Sequence, residues 1–377
     1  VPEQTKIGAL RETVAGEQRI TMTPDVAKRY QALGAQLLLE KGLGADTFLP
    51  DSAFPLENFA ASGREVLQQA DIVLKVQPPD TIELAAMKEG SVLIGLLQPY
   101  SDIEQIKALQ AKKITAFAME LLPRITRAQS MDILSSQSTI AGYQCVLIAA
   151  EHCPKFFPML TYAAGTIRPA RVLVIGAGVA GLQAIATAWR LGAMVEAYDI
   201  RPETREQIES LGAKFVDTGV SAVGTGGYAR ELTDDEKRQQ AEKLARAVAQ
   251  CDVLITTAAV PGKRAPQIIS ADMVAAMKPG AVIVDMAAET GGNVAGTVAG
   301  GKVRTENQTL IIGPTHIASR MPVHASEMIA KNLFNFISPF IKEGTLTLDW
   351  EDEVLIGTCL THAGELRHTG VKQALGL

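Results

Sequence analysis

The stretch VLVIGAGVAGLQAIATAWRLGAMVEAYDIR, residues 172–201, sets three glycines, Gly176, Gly178 and Gly181, in the spacing GxGxxG. An apolar run precedes them, a helix-patterned run follows, and a second apolar run ends at Asp199, about 20 residues on, as the dinucleotide fingerprint requires. Each part has a task. Gly176 permits a tight turn, Gly178 lets a pyrophosphate approach the backbone, and Gly181 lets the helix pack close to the sheet. Amides at the helix start, from Val179 and Ala180 onward, suit phosphate charge. A carboxylate at Asp199 accepts from a free ribose 2′-OH and repels a 2′-phosphate, so the cofactor expected is NAD(H). Ile200 and Arg201 flank that acid as further contacts, and Arg201 is the residue that would accommodate a 2′-phosphate.

Similar short runs lie on both sides. RVLVIG (171–176), MVEAYD (194–199), AKFVDTG (213–219), DVLITTA (252–258), AVIVDMA (281–287) and TLIIGP (309–314) read as buried parallel strands. The first half offers KIGAL (6–10), QLLLE (36–40), DIVLKV (71–76), SVLIGLL (91–97) and ITAFAME (114–120). Helix patterns lie between them: Thr23, Pro24 and Gly34 punctuate one, and Ile103, Ile106 and Leu109 make the apolar face of another. The fold class expected is therefore α/β, with two doubly wound Rossmann-like domains and a cleft between them. We place the first domain at 1–133 plus 318–377 and the NAD(H)-binding domain at 134–317. Pattern alone leaves open whether the tail after about residue 318 completes the first domain or pads the second.

Charged residues make up 20% of the 377 and apolar residues 47%, a globular balance, and the net charge of −5 argues against nucleic acid as a partner. Four cysteines and five histidines show no metal-ligand spacing. No signal pattern opens the chain and no run approaches a membrane span, so a soluble intracellular protein is expected.

RAQSMDILSSQS (127–138) puts Arg, Asp, two Gln and four Ser in twelve positions at the expected domain junction. GVSAVGTGGYARELTDDEKRQQ (219–240) is glycine-rich and then charged. It reads either as a surface loop or as a flap with Tyr228 at its tip, and Gly224, Gly226 and Gly227 would free its backbone. An alcohol or amine dehydrogenase needs a titratable group at the reacting carbon. His152, His316, His324, His362 and His368 are poorly placed for that. Asp285 is better placed or simply caps a loop, and Lys75 either faces the cleft or is a solvent-facing strand end. Hydride exchange between two nicotinamides moves no proton at the reacting carbons, so it needs orientation and excluded water rather than a base.

PRITRAQSMDILSSQSTIAGY (123–143), AAGTIRPARVLVIGAGVAGLQAIATA (163–188), TTAAVPGKRAP (256–266) and MKPGAVIVDMAAETGGN (277–293), with KIGALRET (6–13), resemble the NAD(H)-binding component, domain I, of proton-translocating nicotinamide nucleotide transhydrogenase. The resemblance covers essentially the whole chain. It implies that Arg124, Gln129 and Asp132, with Ser135 nearby, hold the nicotinamide half and form the catalytic set. It also implies adenosine and pyrophosphate contacts from the glycine loop, Asp199, Thr257 and Ala258, a mobile loop with Gly227 and Tyr228, and a tail folded back onto the first domain. The implied enzyme is NAD(P) transhydrogenase, proton-translocating and Re/Si-specific. Its implied partners are an NADP(H)-binding domain, a membrane domain and a second copy of itself. The chain is then a separate subunit or a cut piece, held peripherally at the cytoplasmic side of the inner membrane. The rival resemblance is to alanine dehydrogenase. Arg19 and Lys75 match two of its site positions, but Gln98 stands where that family has its catalytic His. A sensor module reading NADH without catalysis fits the glycine loop but leaves the row 124–135 without a task.

Overall fold

The five apolar runs of the first half form the strands Lys6–Ala9, Gln36–Leu39, Ile72–Lys75, Val92–Gly95 and Thr115–Ala118. The computed structural model describes residues 4–221, 230–260 and 262–376. All five strands are parallel, in spatial order second, first, third, fourth, fifth. The last three are buried at every position, as a sheet covered on both faces requires. The helix Pro24–Ala32 starts on Pro24 at its first turn, with Thr23 at the cap position making no side-chain bond. Ile103–Ala111 buries Ile106 and Leu109 as the spacing predicts, and Asp102 caps it. The tail completes this unit. Pro322–Ile337 packs Ile329, Leu333 and Phe336 among Ile7, Tyr30, Leu74 and Phe117. Cys359–His362 then pairs antiparallel with Thr115–Ala118, and Glu365–Leu366 extends the edge.

The second unit has strands Arg171–Ile175, Met194–Tyr198, Lys214–Phe215, Val253–Thr256, Val282–Asp285 and Leu310–Ile312. Numbered along the chain they lie in the order 3-2-1-4-5-6, the Rossmann arrangement, all parallel. Lys302–Arg304 adds an antiparallel edge. The strand expected over 213–219 is only two residues long. Asp217 accepts from the Gly219 amide and turns the chain out of the sheet. A hairpin absent from the sequence reading, Leu160–Tyr162 with Gly165–Ile167, stands with all six residues exposed.

Contacts divide the chain into one unit running to Gln137 and resuming at Ser319, and another over Ser138–Ala318. The chain passes from one to the other inside the helix Ile133–His152.

Candidate functional site

The glycine loop sits where the Rossmann strand order reverses, between the ends of Arg171–Ile175 and Val253–Thr256. Gly176 has φ +94°, a left-handed conformation, and a Cβ there would lie 2.6 Å from Thr257 Oγ1. Thr257 Oγ1 donates to the Ile175 and Gly176 carbonyls and ties the two strand ends together. A Cβ on Gly181 would come within 1.8 Å of the Gly176 oxygen, so helix and loop touch backbone to backbone. At Gly178 a Cβ meets no atom of the described residues within 4 Å. Gly178 also caps Val179–Arg190 with no side-chain bond, which leaves the first-turn amides of Val179, Ala180 and Gly181 outside the helix's own ladder. This cradle fits a pyrophosphate.

Asp199 is buried at the end of Met194–Tyr198 and accepts the Ala177 amide at 2.7 Å and the Arg201 amide at 2.8 Å. Arg201 also grips the carboxylate side-on, Nε at 2.9 Å and Nη2 at 2.8 Å. Ile200 between them is half-buried. Ala258 donates its amide to Asn293 Oδ1, and Asn293 Nδ2 returns to the Ala258 carbonyl at 2.7 Å and the Pro266 carbonyl at 2.9 Å. Asn293, which the sequence reading missed, therefore fixes the loop carrying Thr257 and Ala258. Asp285 takes the loop-cap reading. Fully buried, it accepts from Thr256, Thr297 and the amides of Ala287, Asn293 and Val294, which leaves it no role as a proton acceptor for substrate. Gly224, Gly226, Gly227 and Tyr228 lie outside the described residues. Next to them, Arg230 donates to Ser221 O and pairs with Glu236, which closes a capping box on Asp234–Gln250.

In the first unit, the polar row forms the 3-10 helix Thr126–Met131 and the start of Ile133–His152. Asp132 accepts from the Ser135 amide at 2.9 Å and the Ser135 hydroxyl at 2.5 Å, capping the long helix. Asn332 and Asn335 both donate to the Ser130 carbonyl, and Asn332 accepts from Ser136. The turn is pinned next to Gln129, which is exposed and whose side chain has no partner among the described residues. Arg124 is exposed as well, while Asp132 and Ser135 are half-buried.

Lys75 corrects the reading of a solvent-facing strand end. It is 1% exposed and paired with Glu12 at 3.0 Å and Glu83 at 2.9 Å. Burial disfavours its ammonium, but the two carboxylates more than offset this and hold its pKa above the ordinary value. Burial in turn pushes the Glu12 carboxyl up. Arg19 is equally enclosed. Glu17 takes its Nε and Nη2, and Gln137 Oε1 takes its Nη1. Gln77 and Ser319 also donate to Glu17. Both cations are thus neutralised from within. Gln98, at φ +48°, gives its amide to Glu120. The histidines placed by hydrogen bonds serve local structure: His152 joins Ile148 O and Lys302, His362 joins Thr115, and His368 caps the last helix.

Burial raises the Glu17 pKa, yet hydrogen bonds and charge from Arg19 and a bond from Gln77 bring it down to about 2. A depressed folded value contributes stability above the unfolded value near 4.5 and loses it as pH falls towards about 2. Glu17→Gln should therefore be clearly less stable than wild type at pH 6, with the gap narrowing by roughly 2 kcal/mol at pH 3 in urea melts. A gap independent of pH would show that Glu17 acts through packing alone.

A Rossmann unit whose ribose-type acid and phosphate cradle stand at the strand-order reversal, in a chain with a second doubly wound unit, defines a pyridine-nucleotide-binding α/β protein. The family description "Alanine dehydrogenase/PNT, N-terminal domain" matches residues 8–141 and "Alanine dehydrogenase/PNT, C-terminal domain" matches 145–369, so the chain belongs to the alanine dehydrogenase/PNT family. The first part of NAD(P) transhydrogenase subunit alpha of Rhodospirillum rubrum is 45% identical over 376 residues, spanning 96% of this chain and 98% of its own length. A solved transhydrogenase from Sinorhizobium meliloti is 40% identical, covers 96% of this chain and 99% of itself, and has a TM-score of 0.87. An L-alanine dehydrogenase structure, at 22% identity over 99% of both chains and a TM-score of 0.81, shares the fold. No helix among the described residues is long and apolar enough to cross a membrane, and no group of His, Cys, Asp or Glu among them is arranged to hold a metal.

Proposed function

We propose that the chain is the NAD(H)-binding component of a proton-translocating, Re/Si-specific transhydrogenase. NAD(H) supplies or accepts the hydride, exchanged directly with NADP(H) on a partner domain. The chain's own residues hold and orient. The glycine loop amides and Thr257–Ala258 take the pyrophosphate side, and Asp199 takes the adenosine ribose. Arg124, Gln129 and Asp132, with Ser135, take the nicotinamide half. A membrane partner carries the proton coupling and keeps the chain at the cytoplasmic face.

The observation that carries this reading is the internal neutralisation of Arg19 and Lys75. An amino-acid dehydrogenase has to present a cation to its substrate's carboxylate, and here both candidates are already satisfied by Glu17, Glu12 and Glu83. The deciding assay gives the purified chain NADH and an oxidised NADP analogue, with and without the NADP(H)-binding domain, alongside alanine plus NAD+. Hydride transfer is expected only with the partner. Alanine-dependent NADH formation by the chain alone would refute the proposal.

We also propose a homodimer. The hairpin Leu160–Tyr162 with Gly165–Ile167 exposes Leu160, Tyr162 and Ile167, next to exposed Phe156 and Met159. A lone two-stranded hairpin with apolar side chains in water is marginal, so a second copy covering it is the economical reading. Light scattering should give twice the chain mass. Leu160→Arg with Tyr162→Arg should weaken association by roughly a hundredfold or more, and a dimer unaffected by that pair would move the interface elsewhere.

A further inference from the structure

The carboxylate of Asp199 has about four lone-pair positions, and this chain's own donors take all of them. Oδ1 accepts the Arg201 amide and Arg201 Nε, while Oδ2 accepts the Ala177 amide and Arg201 Nη2. The two amides belong to the loops on either side of the acid and cannot leave without dismantling them. The guanidinium is different. It sits on a flexible stem, and its side chain is more exposed than the acid it covers, 18% against 6%.

A ribose diol needs acceptor positions on this same carboxylate. We propose that Arg201 is a latch on the ribose-recognition acid: it competes with the adenosine ribose for Asp199 and sets how sharply the site separates NAD(H) from NADP(H). The proposal rests on the NAD(H)-binding reading above. Two consequences follow, of opposite sign for the two nucleotides. Displacing the fork costs part of the binding energy of NAD(H) and speeds its release, which suits a component that exchanges nucleotide every turnover. The displaced guanidinium then stands two residues from Asp199, where it can pair with a 2′-phosphate and offset the repulsion from the acid. The latch therefore narrows discrimination in both directions. The turn itself does not need the side chain, since Thr204 bonds to the Arg201 carbonyl through its amide and its hydroxyl.

The test titrates NADH and NADPH against the full chain as wild type, Arg201→Ala, Arg201→Met and Asp199→Ala, following nucleotide fluorescence at equilibrium and on release. Met keeps the apolar stem without the donors and controls for packing. Both Arg201 variants should bind NADH roughly five- to tenfold tighter, chiefly through slower release. NADPH should bind no tighter, so that the preference for NADH widens. NADH affinity unchanged or weakened in both variants, with wild type binding normally, overturns the latch and leaves the nucleotide site intact. A wild type that binds no NADH, or an Asp199→Ala variant that binds it as well as wild type, overturns the site itself and the latch with it.

Discussion

In the assembled system, Gln129→Asn is expected to slow hydride transfer by roughly a hundredfold while NADH affinity stays within about twofold. The two amides are chemically alike, but Asn is shorter by one methylene, and the backbone cannot follow to make up the difference. The neighbouring Ser130 carbonyl is held by Asn332 and Asn335, and the Asp132 amide closes the turn on the Gln129 carbonyl. A displacement of about 1 Å in a group that orients a reacting ring is enough for a loss of that order. Affinity should hold because, in the proposed binding, the glycine loop and Asp199 supply most of the contacts. Asp132 would be a poorer probe. Its carboxylate caps the helix Ile133–His152 through Ser135, so a substitution there mixes positioning with folding. Stopped-flow transfer rates beside equilibrium titration separate the cases, and matched losses in rate and affinity would mean that Gln129 binds rather than positions.

What could be read from the sequence follows from how local each contact is. Gly176, Gly178, Gly181 and Asp199 belong to one contiguous strand–helix–strand unit, so spacing alone places them. Asn293 meets Ala258 across 35 positions through loops on adjacent strands, and no local pattern reports that. Lys75 shows why a strand end cannot be graded for exposure from its own neighbours. Its partners Glu12 and Glu83 come from other segments, and only the folded sheet brings the three together. The hairpin at 160–167 escaped because its residues face solvent on both sides, so the alternation that marks a half-buried strand is missing. The polar character of the row 124–135 was legible as composition. Its rigidity was not, because the clamping Asn332 and Asn335 arrive from the returning tail.

Gly181→Ala should cost the second unit roughly 2–4 kcal/mol and lower NADH affinity by more than about thirtyfold. Alanine favours helix by about 1 kcal/mol over glycine, so propensity alone predicts a gain. Contact geometry decides otherwise. The new Cβ would lie 1.8 Å from the Gly176 oxygen, 2.7 Å from its carbonyl carbon and 3.1 Å from Thr257 Oγ1. Two of those are backbone atoms of a turn held at φ +94°, which cannot rotate aside as a side chain would. The helix Val179–Arg190 has to move away, and its first-turn amides move with it. Gly178→Ala is the matched comparison, since its Cβ meets no atom of the described residues within 4 Å. That variant should melt close to wild type yet bind NADH more weakly, because the methyl would stand where the proposed binding brings the pyrophosphate to the backbone. Thermal melts and titrations on the two variants therefore separate close packing from ligand access. A Gly181→Ala chain that melts like wild type would mean the helix slides off the loop at little cost, and the third glycine of the fingerprint would then serve the nucleotide rather than the fold.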